Sequence, residues 1–281
     1  MISTFKIALL IDGDNAQPNL LKDILAETGK YGKVTIRRIY GDWTSPAMNG
    51  WKDQLNSFAI RPMQKFSYTK GKNSTDSAMI IDAMDILHGN LVNAFCLVSS
   101  DSDYTGLANR IREEGIFVMG IGQAKTPDAF VKACELFIYT ENLTPDENIA
   151  LLKPKRAGRT TRKTVTPKPE ENGEHKAAEP NEPDSAENGA SNPHEKDYIK
   201  NRITKKPLDI KLIDSAFRMV KQDDEAAYMG GIGEALRRLD SSFDPRTYGF
   251  SSLTALFKSL SKKYDLEYRN NGTSVYIKEK E

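Results

Sequence analysis

Ala8-Leu9-Leu10-Ile11-Asp12-Gly13-Asp14-Asn15 is the stretch on which the reading of this chain turns. An apolar run ends abruptly in two carboxylates around a glycine, as a fully buried strand of a parallel sheet does where it leaves the sheet at its carboxyl edge. The event recurs at Phe95-Cys96-Leu97-Val98-Ser99-Ser100, which runs into Asp101-Ser102-Asp103. Around these two points short β-rich runs alternate with amphipathic helical stretches. Strands are expected near 5–11, 33–40, 59–65, 93–99, 116–121 and 136–139. Pro18 suits a first helical position ahead of Leu20, Leu21, Ile24 and Leu25, and Gly115 stands where a helix from Tyr104 should end. Connections of this βαβ kind predict an α/β fold with a doubly wound parallel sheet over residues 1–143.

The chain has 281 residues, 38% hydrophobic and 28% charged, enough for a sizeable core and for two domains. No apolar run approaches a membrane span, and Ile7 to Ile11 leads into Asp12 instead of a small-residue cleavage site, so the expected address is the cytoplasm and no membrane partner is expected. Cys96 and Cys134 lack any metal-ligand spacing and read as buried thiols, which argues against zinc. The net charge of +1 is uneven: residues 1–143 hold 15 basic and 16 acidic side chains, 144–197 hold 9 and 11, and 198–281 hold 16 and 12. The positive excess therefore lies at the C-terminus.

From Thr144 to about Asp197 apolar content collapses, and residues 144–197 read as a disordered charged linker. Its block Lys153, Lys155, Arg156, Arg159, Arg162 and Lys163 is either a phosphate-contacting arm or a merely solvated run. A core pattern returns over 198–281. Ile210, Ile213, Phe217 and Val220 have helical spacing, then Ile232 to Leu239, then Leu253, Leu256, Phe257 and Leu260, and residues 266–277 alternate around an Asn-Gly turn. Three helices and a hairpin predict a small winged-helix (α+β) domain.

In an open parallel sheet, ligands bind beyond the carboxyl ends of the strands, where the strand order switches direction. If the first and fourth strands are neighbours, the acids that follow them open into one crevice. Asp76, at the start of a helix expected over Thr75–Leu87, projects over the same edge. Asp12, Asp76, Asp101 and Asp103 would repel one another there unless cations bind, and an all-carboxylate set suits hard Mg²⁺ or Mn²⁺. Two such ions roughly 3.5 to 4 Å apart support phosphodiester hydrolysis without a histidine base. That matters because the chain has only His88, His175 and His194. Asp82 follows Asp76 by about 120° around a helix and roughly 9 Å along it, which makes it a supporting or substrate-contacting residue, or an ordinary helix-surface acid. Asn15 either orients Asp12 or a metal-bound water, or caps a helix. Taken singly, Asp14 and Asp103 also read as helix caps; the paired occurrence after two strands is what favours a site.

On Ala8 to Asn15, on Lys72-Asn73-Ser74-Thr75-Asp76 with Asp82-Ala83-Met84-Asp85, and on Val98 to Tyr104, the region from about 5 to 143 resembles the NYN domain, a branch of the PIN-like nucleases. The resemblance implies central, adjacent first and fourth strands, a Mg²⁺ or Mn²⁺ site, and RNA as substrate. It places Asp12, Asp76, Asp101 and Asp103 at the family's acidic positions and Asp82 at a frequent extra acid, with Tyr104 where Phe is usual. On Phe243-Asp244-Pro245-Arg246-Thr247-Tyr248-Gly249-Phe250 and the run to Phe257, residues 205–279 resemble the LOTUS domain, also called OST-HTH. This winged-helix type is associated with RNA and, in some members, with protein partners.

Together the resemblances imply a metal-dependent endoribonuclease with a C-terminal RNA-binding module. The competing reading is a non-catalytic RNA-binding or protein-interaction scaffold, and a third is an aspartyl phosphatase acting through Asp12. Lys70 and Lys72, just before Asp76, are candidate phosphate contacts. Lys258, Lys262 and Lys263 on or after the third C-terminal helix, with Arg269 and Lys278 on the hairpin, are candidate RNA contacts on one face. Trp43 is a packing residue or a stacking platform.

Overall fold

The computed structural model describes residues 5–64, 74–143, 206–222, 225–270 and 272–280. Six strands, β1 (Phe5–Asp12), β2 (Gly32–Gly41), β3 (Arg61–Gln64), β4 (Ala94–Val98), β5 (Phe117–Gly122) and β6 (Leu136–Tyr139), form one sheet in the order β3-β2-β1-β4-β5-β6. Every neighbouring pair is parallel. The order reverses between β1 and β4, the two strands that the acids follow, so the ligand crevice of such a sheet falls between them.

β1 shows why the sheet is wound on both faces. Ala8 and Leu10 enter one core with Met79, Ala83 and Ile86 of α3 (Ser74–His88), Leu107 and Ile111 of α4 (Thr105–Glu113) and Phe130 of α5 (Asp128–Ala133). Ile7, Leu9 and Ile11 enter the other with Leu21 and Ile24 of α1 (Leu21–Gly29) and Trp51 of α2 (Asn49–Ser57). A strand buried on both faces needs apolar residues at every position, which is what Ile7 to Ile11 of β1 and all of β4 contain. Cys96 and Cys134 are free thiols buried in these cores, and burial pushes the Cys96 thiol up to about 12.

The C-terminal domain packs α6 (Ile210–Val220), α7 (Met229–Leu239) and α8 (Leu253–Ser259) against an antiparallel sheet of order β7-β9-β8, with β7 (Ala226–Tyr228), β8 (Tyr264–Arg269) and β9 (Ser274–Glu279). The short strand β7 has no alternation of its own and was not expected. The hairpin is also looser than a two-residue Asn-Gly turn, since Arg269 and Ser274 are its last pair and Asn270 and Gly272 take positive φ.

The two domains touch directly. β6 is an edge strand, and the Phe137 N–H on it donates to Ser241 O at 2.8 Å. Ser241 Oγ donates to Val131 O at 2.9 Å and Asn142 Nδ2 to Thr247 Oγ1 at 2.8 Å. Arg246 Nη1 and Nη2 donate to the two carboxylate oxygens of Glu27 at 3.1 and 3.2 Å, while Asp244 holds the same guanidinium from behind. The expected linker, with its basic block, lies outside the described residues, as do Lys70 and Lys72.

Candidate metal centre

Asp12 is the last residue of β1 and is fully buried. Its Oδ2 accepts from Asn15 Nδ2 and Ser99 Oγ, both at 2.8 Å, and its Oδ1 from the Asp14 N–H at 3.2 Å. A carboxylate offers about four acceptor sites, so three are used and one, on Oδ1, is left for a further partner. The loop is held by Gly13: a Cβ there would lie 2.7 Å from Tyr40 O and from Met48 Cε, and Gly13 O accepts the Trp51 indole N–H at 3.1 Å. Burial pushes the Asp12 carboxyl above its ordinary value, against the pull of Asn15 and Ser99.

Asp101 and Asp103 follow β4 across the register pair Ile11–Val98. Asp101 caps the short helical turn Ser102–Tyr104 by accepting the Asp103 N–H at 2.9 Å, and Ser99 Oγ accepts the Asp101 N–H at 3.1 Å. Ser99 thus ties the two acidic loops together. Asp76 stands in the first turn of α3 and accepts Tyr104 Oη at 2.8 Å. One carboxylate oxygen each from Asp76, Asp101 and Asp103 lie within 4.8 Å of one another. Oxygens around a Mg²⁺ at about 2.1 Å are at most about 4.2 Å apart, so small side-chain movements close this set around one ion.

The electrostatics point the same way. Burial pushes the Asp76 carboxyl up, and the carboxylates of Asp12, Asp101 and Asp103 add to it while the Tyr104 hydroxyl opposes it. Four acids are therefore close enough to feel one another. All donors are oxygens, as hard divalent cations require. The residues fit a Mg²⁺ or Mn²⁺ centre.

Several expected residues have other engagements. Asp82 is bonded to Arg38 Nη1 and Tyr40 Oη on β2 instead of reaching the acid group, so it clamps α3 to the sheet. Asn15 supports Asp12 directly. Trp43 packs, its indole N–H donating to Met63 O at 3.2 Å. In the second domain Lys258 and Lys262 are exposed, but the single basic face is not what forms: Lys263 is paired with Asp214 at 2.6 Å and Glu279 at 3.7 Å. Arg269 pairs with Glu267 at 2.9 Å and lies over the Tyr276 ring. An aspartyl nucleophile at position 12 fits poorly with full burial and three bonds.

Tyr104, Ser99, Gly13 and Trp51 were not foreseen as parts of the site, although Gly13 between two acids and Ser99 ahead of Asp101 were visible signals. Lys125 was not singled out by the sequence reading. It sits exposed on the loop after β5, and this loop is fixed beside the β4 loop by the Gln123 N–H on Ser100 Oγ at 2.9 Å.

Residues 6–143 match the NYN domain family, and residues 207–276 match the OST-HTH/LOTUS domain family. No curated protein is significantly similar to the chain. Among solved structures, one of a protein of unknown function from Vibrio parahaemolyticus shares 19% identity with a TM-score of 0.41, covering 48% of this chain and 91% of the other. A solution structure of an uncharacterized protein from Nitrosomonas europaea shares 24% identity with a TM-score of 0.26, covering 36% and 91%.

Proposed function

Since the chain carries an NYN domain, of the PIN-like nuclease superfamily, followed by an OST-HTH/LOTUS domain, we propose that it is a divalent-metal-dependent endoribonuclease with an RNA-binding second domain. The observation that carries this reading is the convergence of Asp76, Asp101 and Asp103 oxygens within 4.8 Å, above a buried and triply bonded Asp12. These four aspartates would hold Mg²⁺ or Mn²⁺. When bound, the cation supplies Lewis acidity toward the scissile phosphate and compensates the carboxylate charge.

The protein's own groups do the rest. Asn15 and Ser99 fix the rotamer of Asp12, and Tyr104 fixes that of Asp76, so the ligand oxygens are pre-positioned. Lys125, with Lys70 and Lys72 from the segment before Asp76, would contact the flanking phosphates. His88 is the one histidine among the described residues, and its Nδ1 lies 2.7 Å from Met84 O at the far end of α3. Water is then the nucleophile, and attack by the RNA 2′-hydroxyl under histidine control is disfavoured. The second domain, docked on β6, would bring RNA to the site through Lys258 and Lys262 and through the surface described below.

A circular RNA substrate tests this. With Mn²⁺ the full chain should linearise it and leave 5′-phosphate and 3′-hydroxyl ends, and EDTA should stop it. Binding without any cutting would favour a scaffold, and 2′,3′-cyclic phosphate ends would contradict water as the nucleophile.

A further inference from the structure

On β9 the side chains of Val275 and Ile277 face the core of the second domain, so Ser274, Tyr276 and Lys278 face outward. Tyr276 is paired in register with Tyr228 on one side and Glu267 on the other. The two tyrosine rings lie 5.6 Å apart at 53°, and the Arg269 guanidinium lies 4.2 Å from the Tyr276 ring centroid. Tyr228, on the edge strand β7, is 46% exposed. Its ring rests over the first turn of α7 at Gly230, where a Cβ would approach it to 2.6 Å, so the missing side chain makes room for the ring to lie flat.

A cross-strand pair of rings strengthens any sheet. Placement is what sets this one apart. Tyr228 is one of two exposed aromatic side chains among the described residues, and the only one on this face; the other, Tyr268, pairs with Val275 and so lies on the opposite face of the same sheet. Lys278 stands exposed next to Tyr276 on the same face with no ion pair among the described residues, whereas the Arg269 charge is already answered by Glu267. The face thus combines two π-surfaces, a flat guanidinium neutralised by Glu267, an Asp265 carboxylate paired with Lys280 at 3.0 Å, and Lys278 as a further cation opposite Asp265. That composition matches a stacked nucleobase with its phosphate, whereas a duplex, gripped by its backbone, calls for several uncommitted cations.

We propose that the outer face of the β7-β9-β8 sheet, formed by Tyr228, Tyr276, Arg269 and Lys278, is a stacking site for unpaired bases of single-stranded RNA. It rests on the reading of the second domain as an RNA-binding module, and it gives that module a preference for unpaired over duplex RNA. Lys258 and Lys262 on and after α8 then contribute phosphate contacts of a different, salt-dependent kind.

The test is fluorescence anisotropy of a labelled 12-nucleotide single-stranded RNA and a duplex of equal length. Both are titrated with the full chain in EDTA, at several salt concentrations. Tyr228→Ala should weaken single-strand binding on the order of tenfold, with the slope against log salt unchanged and Tyr228→Phe close to wild type. Lys258→Ala with Lys262→Ala should instead flatten that slope. Tyr276→Ala is read only if circular dichroism shows that the domain stays folded; the exposed Tyr228 needs no such rescue. Wild-type binding by Tyr228→Ala, an equal loss in Tyr228→Phe, or no single-strand binding by the wild type would overturn the proposal. Cleavage assays report separately on the nuclease: cutting with an inert Tyr228 would sink the stacking site alone, and a binding loss without any cutting would sink the nuclease alone.

Discussion

Tyr104 shows how much can hang on one oxygen. The family resemblance marks it only as a tyrosine where a phenylalanine is usual, yet its hydroxyl donates to Asp76 in the acid group. Tyr104→Phe should weaken Mn²⁺ binding by roughly tenfold, as loss of a partner behind a metal ligand does, and calorimetric titration reads this. Asp76→Asn makes the opposite test. The Asp76 carboxyl is raised by burial and by Asp12, Asp101 and Asp103, so ionising it costs folded-state stability once the pH is above its ordinary value. Without metal, Asp76→Asn should therefore raise Tm by a few degrees, on the order of 1 kcal/mol. The variant should also lose the stabilisation that Mn²⁺ gives the wild type. A lower Tm in EDTA would count against the repulsion argued here. Asp12, Asp101 and Asp103 were legible because they follow apolar strands, and Asp76 because it opens a helix over the same sheet edge; the hydroxyls and the indole that hold them were not, since their partners lie far away in sequence.

At the scale of elements, the reading from hydrophobic pattern and the structure agree on all six strands of the first domain to within two residues at each end. The doubly buried runs Ile7 to Ile11 and Ala94 to Val98 have no polar positions to blur their limits. The role of α3 was less accessible, because contact between Asp82 and β2 depends on how the helix packs. Arg38, Tyr40 and Asp82 form a clamp that fixes α3, and with it Asp76, against the sheet. Asp82→Ala leaves the half-buried Arg38 without its partner and should cost about 3 kcal/mol in thermal unfolding. Activity should then fall through kcat, with KM for RNA little changed, because the clamp acts on Asp76 and not on substrate. A change in KM alone would return Asp82 to the substrate-contacting role.

For the molecule as a whole, the chain reads as two domains joined by a linker, and no composition or periodicity reveals a contact between them such as Arg246 on Glu27. Glu27 is 7% exposed and engaged by Lys30 as well as Arg246. Burial raises its carboxyl, and the bonds from Arg246 and Lys30 more than offset that, so it ends below its ordinary 4.5. Such a group stabilises the docked form above pH 4.5, and the contribution fades as pH falls through the lowered value. Small-angle scattering should show a compact particle at neutral pH that opens in acid, and Glu27→Gln or Arg246→Ala should open it already at neutral pH. A particle whose dimensions ignore both changes would mean that the Ser241 and Asn142 contacts suffice.

The central claim is that Asp12, Asp76, Asp101 and Asp103 form a metal-dependent RNA-cleaving centre. Its most direct test is cleavage of end-labelled single-stranded and hairpin RNA by the full chain in Mg²⁺, Mn²⁺ or EDTA, beside the Asp101→Asn, Asp103→Asn double variant. Cutting that requires a divalent ion and falls at least a hundredfold in the double variant is the predicted result, on the order of what removing such an electrostatic group costs. Tight binding with no cutting in either ion, or cutting that survives the double substitution, would contradict it.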